Sequence, residues 1–190
     1  KNKVFSALNI IGLSIGMAAC IVIMLFVTYE KSFDNFHTKN IWKLDEVQKF
    51  PGMVASQKVG LSMFPMGPTL QADFPEVKDF TRIRWQEKFK LVYGEKKVFL
   101  PEAFFVDTTF LNIFDFKLVK GDRNTALLKR HSVVLTEDAA RTIFGSTDAM
   151  GKTVTHYGGD TTSYIVTGIA ANLPKNSHLQ FDALFSFNTI

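Results

Sequence analysis

Hydrophobic residues along this chain form one long unbroken block near its beginning, followed by shorter segments in which apolar and polar residues alternate. The block covers residues 4–29, twenty-six residues without a charged side chain. A helix needs about 20 mostly apolar residues to cross the roughly 30 Å hydrocarbon core of a bilayer. At about 1.5 Å per residue the block reaches roughly 39 Å, so the pattern predicts a membrane-spanning helix that tilts or projects beyond the bilayer.

Two other interpretations of the block compete with a retained membrane helix. The sequence Met17-Ala18-Ala19-Cys20 is similar to a lipoprotein cleavage site, with Cys20 as the lipidated residue. Cleavage there would leave the strongly apolar residues 21–27 as an exposed N-terminus, which is unfavourable. The block could also be a buried helix of a soluble protein. The length of the apolar run favours the retained membrane helix.

Charges on either side of the block predict its orientation. Lys1 and Lys3 precede it, whereas Glu30, Lys31 and Asp34 follow it as a group of mixed charge. Basic residues favour the cytoplasmic side of a membrane helix. We therefore expect a cytoplasmic N-terminus, with the remaining residues, about 160 of them, outside the cytoplasm.

A stripe of small and polar residues runs along one face of the predicted helix. Gly12 and Gly16 form a G-x-x-x-G motif, and Ser6, Asn9 and Ala19 continue it at steps of three or four. Small residues let two membrane helices approach closely, and an asparagine can hydrogen-bond across the contact. We therefore predict helix packing through Asn9, Gly12, Gly16 and Ala19. The competing explanation is composition alone, because glycine and alanine are frequent in membrane helices.

The part of the chain after the block combines strand and helix signals. The first helix is predicted to continue to about Phe36 as a stalk, which divides the chain into residues 1–36 and residues 37–190. Alternation and turn residues predict strands at 41–50, 80–86, 89–93, 97–106, 132–135, 153–157 and 163–168, with hairpin turns at 93–96 and at Gly158-Gly159-Asp160. Helices are predicted at 66–74, at 107–114 with an Asp107 cap, and from a Thr136 cap to Gly145. The sum is an α+β domain on a membrane helix.

Charge and cysteine content narrow the class of protein. The formal net charge is +4, and Lys1 and Lys3 supply two of these charges, so about +2 remains after the apolar block. This bias is too small to indicate nucleic-acid binding. Cys20 is the only cysteine, so the exported part has no disulfide and must be stabilised by packing. Most of the 19 phenylalanines lie after the block. Those predicted to form mainly the core of this later part, or in some cases a groove for an apolar ligand, are Phe33, Phe36, Phe104, Phe105, Phe110, Phe114 and Phe116.

Motifs that would carry catalysis or cofactor binding are weak. Residues 145–153 resemble a phosphate-binding loop, but five residues separate Gly145 from Gly151 where the motif has four. A helix is also predicted before the segment and a strand after it, the reverse of the order that phosphate binding needs. The four histidines lack metal-ligand spacing, and Ser132 and Ser177 lack the G-x-S-x-G setting of a hydrolase nucleophile. We therefore assign no catalytic, cofactor-binding or metal-binding residue.

Short motifs in a fixed order resemble the MacB-like and FtsX-like ABC transporter permeases. The first is Lys1-Asn2-Lys3 with the glycine-containing helix, followed by residues 30–37 (EKSFDNFH). The later motifs are residues 67–70 (GPTL), 74–77 (FPEV), 104–107 (FFVD), 113–116 (IFDF), 120–122 (KGD), 132–137 (SVVLTE), 144–145 (FG), 151–153 (GKT) and 174–179 (PKNSHL). Each motif is weak alone, but the ordered set covers essentially the whole chain.

The resemblance implies a first membrane helix and most of a MacB-like periplasmic core domain with a β-rich inserted subdomain. It further implies a dimeric permease of the bacterial inner membrane, in contact with lipid and with a periplasmic or outer-membrane partner. ATP hydrolysis would take place on a separate cytoplasmic ABC ATPase subunit, so the permease would not itself be an enzyme. Such a protein would couple ATP hydrolysis to motion of its periplasmic domain, for export, extraction or regulation of an envelope substrate.

A membrane-anchored extracytoplasmic sensor or ligand-binding domain is the alternative from another class. Such a protein would carry a signalling domain in a later part, whereas a permease would show three more apolar runs of about 20 residues. The chain does not begin with methionine and ends without a stop-like feature, so we expect a fragment of a longer protein. The substrate cannot be read from the sequence, because one domain plan serves several functions.

Overall fold

The chain divides into two units, each of which consists of two separate segments of the sequence. The computed structural model describes residues 3–52, 55–158 and 161–190. Unit 1 consists of Lys1–Phe36 together with Pro174–Leu179, and unit 2 consists of His37–Leu173 together with Gln180–Ile190. The sequence patterns did not indicate that residues so far along the chain belong with the N-terminal helix.

Helix α1 dominates unit 1 and spans Lys3–Lys31, which contains the predicted apolar block. It is long and apolar enough to cross a membrane, and none of its residues is buried by the rest of the chain. A buried helix of a soluble protein would have its apolar side chains covered, so this interpretation of the block does not fit.

The helix ends at Lys31, so the prediction that it continues to about Phe36 is wrong. Asp34 has a left-handed backbone with φ 54°, a conformation that cannot continue a right-handed helix. Side chains around it also bond to the last carbonyl groups. Ser32 Oγ donates to Tyr29 O at 2.6 Å, and Asn35 Nδ2 donates to Lys31 O at 2.6 Å. Such local bonds compete with continuation of the helix.

Unit 2 is built from short helices and a curved sheet. Its helices are α2 (Met66–Asp73), α3 (Phe110–Ile113) and α4 (Glu137–Phe144). Its described strands are β1 (Glu46–Gln48), β2 (Gln57–Val59), β3 (Ile83–Tyr93), β4 (Lys96–Val106), β5 (Leu118–Lys120), β6 (Ser132–Thr136), β7 (Thr153–Tyr157), β8 (Thr161–Ala170) and β9 (Ala183–Ser186). The fold is therefore α+β, as predicted. The strand predicted at 41–50 is wrong in extent, since only β1 forms there and it pairs with β2 alone.

Six of the described strands close into a β-barrel in the order β8-β6-β9-β4-β3-β7, with β7 pairing back to β8. The pairs β4–β9 and β6–β8 are parallel, and the other pairs of the barrel are antiparallel. Closure depends on the long strand β8, which pairs with β7 up to Ile165 and with β6 from Ile165 onward. β5 adds to the outside of this ring by pairing with the end of β8. A closed ring leaves few unpaired strand edges.

Two of the predicted strands form one long strand, β3, which pairs with β4 as a hairpin. The strand predicted at 80–86, from Ile83 onward, and the strand predicted at 89–93 are both part of β3, in which Lys88 has φ 53°. Residues 80–82 are not in a strand. Lys88 falls opposite Pro101, where the ladder has no pair. Proline has no backbone N–H to donate, which explains the gap. The predicted turn is confirmed, with Gly94 at φ 58° in a two-residue connection.

Local signals also explain α4 and the β7–β8 pair. The Thr136 side chain accepts a hydrogen bond from Ala139 N at 3.2 Å, and Gly145 ends the helix with φ 77°. Both predicted ends are thus confirmed. β7 and β8 pair as the predicted hairpin. Of its predicted turn, Gly159 and Asp160 lie outside the described residues.

Asp107 does not cap α3, contrary to the prediction. Its carboxylate instead binds Arg82, with Arg82 Nη2 donating to Oδ1 at 2.7 Å and the Arg82 backbone N donating to Oδ2 at 2.7 Å. A charge-assisted bidentate pair is stronger than a single bond to a helix N-terminus. The hydrogen bond to Asp107 raises the pKa of Arg82 further, and its guanidinium lies 4.3 Å from the centre of the Phe187 ring.

Aromatic rings fill the barrel, as the phenylalanine content predicted. Phe185 is fully buried, with ring centres of Phe89, Phe105 and Tyr164 at 4.8, 5.2 and 4.6 Å. Offset and edge contacts of this kind add to the hydrophobic stabilisation. The buried face of α4, with Ala139, Ala140 and Ile143, covers this core. Other buried phenylalanines are Phe104, Phe110, Phe114, Phe116 and Phe181.

Candidate functional site

The predicted packing face of α1 is open. A Cβ atom built on Gly12 or Gly16 would have no other atom within 4 Å, and the two glycines form a shallow apolar groove with Leu13, Met17 and Cys20. Asn9 and Ala19 are also exposed on this helix. No described residue of the chain packs against the groove. Helix packing through Asn9, Gly12, Gly16 and Ala19 therefore stays a prediction that needs another polypeptide.

A polar cluster lies just after α1 and is centred on Asp34. The Asp34 backbone N donates to Asn176 O at 2.9 Å. Its Oδ1 accepts from Ser177 Oγ at 2.9 Å and from His178 N at 3.2 Å, and its Oδ2 lies 2.6 Å from His178 Nδ1. Asn176 Nδ2 in turn donates to Ser32 O at 2.8 Å and to Ser32 Oγ at 3.1 Å. We call these residues, Ser32, Asp34, Asn176, Ser177 and His178, the helix-end clamp.

Aromatic contacts support the helix-end clamp. The ring centre of Phe33 lies 4.8 Å from that of His178, and Tyr29, in the last turn of α1, contacts Phe33 edge-on at 5.3 Å. The clamp is therefore linked to the end of the helix by packing as well as by hydrogen bonds. Both segments contain turn-forming residues, and Asp34 has a left-handed backbone while its carboxylate binds the loop Pro174–Leu179.

Electrostatics keeps the Asp34 carboxyl ionised. Partial burial acts to raise its pKa, but hydrogen bonds from the His178 side chain, the Ser177 hydroxyl and the His178 backbone outweigh burial and hold the pKa below its usual value. An ionised carboxylate can only accept hydrogen bonds, so the short contact with His178 requires a hydrogen on Nδ1. Charge-assisted bonds of this type are stronger than neutral ones.

A second polar cluster lies at the start of unit 2. Asp115 Oδ2 accepts from the Thr38 backbone N at 2.6 Å and from Thr38 Oγ1 at 2.8 Å, and both bonds lower the pKa of Asp115. Asp115 N donates to His37 Nδ1 at 3.1 Å, and the His37 ring contacts Phe114 and Phe116. We call His37, Thr38 and Asp115 the Asp115 anchor. It fixes within unit 2 the residues that follow the linker from α1.

Neither cluster was assigned a role from the sequence. In the sequence, the segments 30–37 and 174–179 serve only as motifs of the resemblance, and the four histidines show no metal-ligand spacing. The His178 side chain is 74% exposed, yet its Nδ1 is bonded to Asp34. A local signal existed, since both segments contain Ser and Asn, with Asp34 in the first and Pro174 in the second, but no local pattern identifies the partner of such a turn.

The structure offers little chemistry beyond these contacts. Within residues 3–52, 55–158 and 161–190, no group of three or more His, Cys, Asp or Glu side chains is arranged to hold a metal ion. The segment that resembles a phosphate-binding loop follows α4 and leads into β7, so no helix N-terminus faces it. Lys152 instead lies 5.2 Å from the centre of the Phe144 ring.

Comparison with known proteins identifies the family. Residues 6–190 match the family model of the MacB-like periplasmic core domain. The chain therefore belongs to the family of MacB-like periplasmic core domains, which are extracytoplasmic parts of MacB-like and FtsX-like ABC transporter permeases. None of the curated proteins compared with the chain matches it significantly.

One solved structure shares the fold, and two others are less similar. A domain assigned to a permease protein of Porphyromonas gingivalis is similar with a TM-score of 0.63 and 23% identity, over 70% of this chain and 56% of that one. This chain thus spans little more than half the length of that structure. The periplasmic region of MacB from Actinobacillus actinomycetemcomitans gives a TM-score of 0.46 at 20% identity, covering 59% and 49% of the two chains. The extracellular domain of the ABC-type transporter YknZ from Gram-positive bacteria gives 0.42 at 15%, covering 57% and 52%.

Proposed function

We propose that the chain is part of the permease subunit of an ABC transporter. In this proposal α1 is the first membrane helix, unit 2 belongs to the periplasmic domain, and ATP is hydrolysed by a separate cytoplasmic ATPase subunit. Membership of the periplasmic core domain family carries the proposal. The whole protein would couple ATP hydrolysis to motion of its periplasmic domain, in order to export, extract or regulate an envelope substrate.

The exposure of α1 supports its placement in a membrane. The helix has 29 residues, so it is about 43 Å long at 1.5 Å per residue. Its apolar side chains are exposed on all faces, a situation that is stable only in lipid or against other apolar helices. Lys1 and Lys3 favour a cytoplasmic N-terminus, which would place both units' remaining residues in the periplasm of a bacterial inner membrane.

The small-residue face supports partners within the membrane. Gly12 and Gly16 leave the backbone accessible, and Asn9 offers a hydrogen-bonding group on the same face. Such faces favour close helix packing in lipid. We propose that Asn9, Gly12, Gly16 and Ala19 pack against another permease helix, either in the same subunit or in the second subunit of a dimer. A periplasmic or outer-membrane partner would bind the extracytoplasmic part.

Topology reporters test the proposed orientation against a form that stays in the cytoplasm. Alkaline phosphatase fused after Ile190 should be active, because it folds only outside the cytoplasm, and a cytoplasmic fluorescent reporter at the same site should be dark. A variant with Lys1→Glu, Lys3→Glu and two lysines inserted after Lys31 should weaken or invert both signals. A bright cytoplasmic reporter on the parent chain would contradict the orientation.

The complete protein separates a permease from a sensor. A permease requires three further apolar runs of about 20 residues and should retain an ABC ATPase when it is purified in mild detergent. A membrane-anchored sensor would instead carry a signalling domain and retain no ATPase. Absence of ATPase from preparations that are folded and membrane-inserted would overturn the permease proposal.

A further inference from the structure

The helix-end clamp joins two segments that are far apart in the chain. Within unit 1 it bonds the residues after α1 to the loop Pro174–Leu179. This loop continues at both ends into unit 2, toward β8 on one side and β9 on the other. We propose that the clamp makes α1 act on the barrel through three chain connections instead of one, with Asp34 as the positioning residue. This inference rests on the proposed function as an ATP-driven permease.

The first step of the argument is that the clamp holds the loop firmly to the helix end. Asp34 is bonded through its backbone N and through both carboxylate oxygens, and its charge strengthens the side-chain bonds. The Asn176 amide bridges back to Ser32, directly after the last residue of the helix. Opening the clamp would require all these bonds to break together, so the loop and the helix end should move as one body.

The second step is that the chain has little slack on either side of the loop. Before it, Ala171 N donates to Lys117 O at 2.8 Å, and Asn172 Oδ1 accepts from Asp138 N at 3.0 Å. Only Leu173 separates these fixed residues from Pro174. An extended residue spans at most about 3.6 Å, so a larger displacement of the loop must pull on the end of β8.

The third step concerns the residues after the loop. Asp182 N donates to Glu102 O at 2.7 Å, Asp182 O accepts from Thr136 N at 2.9 Å, and its Oδ2 accepts from Glu102 N at 3.0 Å. Two residues, Gln180 and Phe181, separate Asp182 from the loop, and Phe181 is itself buried. A displacement of the loop therefore reaches β9, which lies between β6 and β4 in the barrel.

Without the clamp, the covalent path from α1 to unit 2 would run through the bond between Phe36 and His37. A single short linker transmits a pull but transmits rotation poorly, because its backbone dihedrals are free to turn. Two additional connections would convert a tilt or rotation of α1 into a displacement of β8 and β9. A clamp that only capped the end of α1 would not move β8 and β9 when the helix moves. This difference makes the proposal testable.

The test uses the complete permease with its ATPase in lipid nanodiscs and compares hydrogen exchange with and without vanadate-trapped nucleotide. Asp34→Gly removes the carboxylate while permitting the left-handed backbone, so it does not add strain. His178→Ala removes one partner and leaves Asp34 unchanged. Asp34→Asn keeps an acceptor oxygen and tolerates the backbone. Asp148→Gly is the matched control, because Asp148 is an exposed carboxylate paired with Lys120 on the surface of unit 2.

In the parent, nucleotide trapping should change exchange in β8 and β9. Asp34→Gly and His178→Ala should speed exchange of residues 175–178 about tenfold and should remove at least half of the nucleotide-dependent change in β8 and β9, with ATP hydrolysis continuing. The nucleotide-dependent change in β8 and β9 should be intermediate for Asp34→Asn and equal to the parent's for Asp148→Gly. If Asp34→Gly keeps the parent's nucleotide-dependent change in the exchange of β8 and β9, the inference about the clamp is wrong and the proposed function still stands. The same holds if the parent binds its ATPase but shows no nucleotide-dependent change in β8 and β9. Failure of the parent to bind an ATPase would overturn the proposed function.

Discussion

Helix α1 and the barrel of unit 2 are both rich in apolar residues, but they place them in opposite surroundings. None of the residues of α1 is buried by the chain, whereas Phe185, Leu135 and Val133 in the barrel are fully buried. The barrel thus carries its own apolar environment, and the helix requires one from outside. Hydrophobic content alone does not distinguish the helix from the barrel. The order of apolar and polar residues does, because α1 has apolar side chains all around its axis, whereas the strands of the barrel alternate or are covered on both sides.

Truncation of a core ring in the barrel should have the largest effect on stability. Phe185→Ala removes the ring that contacts Phe89, Phe105 and Tyr164. Loss of a buried phenylalanine costs about 3–5 kcal/mol, because a cavity remains where the ring packed. Denaturant unfolding of the chain in detergent, followed by near-ultraviolet circular dichroism, should show a lower midpoint. The control is Phe26→Ala on α1, whose ring is exposed; an equal shift for both variants would contradict the contrast between the regions.

A charge placed in α1 should disturb membrane insertion and leave the barrel intact. Leu13→Asp puts a carboxylate near the centre of the apolar block, where insertion costs about 2.5–3.5 kcal/mol. The inserted fraction, measured by alkaline extraction of membranes, should fall, and the unfolding midpoint of the barrel should not change. The control is Leu128→Asp at an exposed residue of unit 2, which should leave the inserted fraction unchanged. Full insertion of Leu13→Asp would show that α1 is not a spanning helix.

Elements that depend on local signals were predictable from the sequence. The apolar block, the Thr136 cap, the Gly145 stop and the turn after β3 each follow from a few adjacent residues. Contacts between distant segments were not predictable in this way. The parallel pairing of β4 with β9 joins residues far apart in sequence, and periodicity carries no information about which strands become neighbours.

The errors have the same cause. Asp107 is predicted to cap a helix because its carboxylate can accept from free backbone N–H groups, but Arg82, 25 residues earlier, binds this carboxylate instead. The first helix is predicted to continue to about Phe36, but Asp34 adopts a left-handed backbone and binds the loop Pro174–Leu179. In both cases a tertiary partner overrode the local preference. The helix-end clamp could not be predicted for the same reason.

Closing the glycine face of α1 should weaken assembly without affecting insertion or the barrel. In Gly12→Leu with Gly16→Leu, two side chains would occupy the open groove and push a neighbouring helix away. Interhelical contacts of this kind are worth about 1–2 kcal/mol each. Assembly of the complete permease, measured by crosslinking in membranes, should fall. Ile11→Leu with Ile15→Leu provides the control. Undiminished assembly of the glycine variant would mean that the stripe reflects composition alone.

Acid should loosen the helix-end clamp before it affects the barrel, and this effect should be the smallest. Because the folded-state pKa of Asp34 is lowered, its contribution to stability is fully present above its ordinary pKa of about 3.9 and is lost as pH falls through the lowered value. The side chain is one-third exposed, so screening by solvent limits the contribution to about 0.2–1 kcal/mol. Between pH 7 and about pH 5, the carboxylate should therefore cause no loss of stability.

The amide proton of His178, which donates to Asp34 Oδ1, offers a direct measurement. Its chemical shift in detergent-solubilised chain should change with a midpoint below the ordinary aspartate value, and Asp34→Asn should abolish that step. Resonances of the barrel core around Phe185 should stay constant across the same range, because Tyr164, the titratable ring in contact with Phe185, is neutral throughout it and burial raises its pKa still further from it. A midpoint at or above the ordinary value would mean that the carboxylate gains nothing from the clamp. The loop Pro174–Leu179 would then be held by Asn176 and by ring packing rather than by charge.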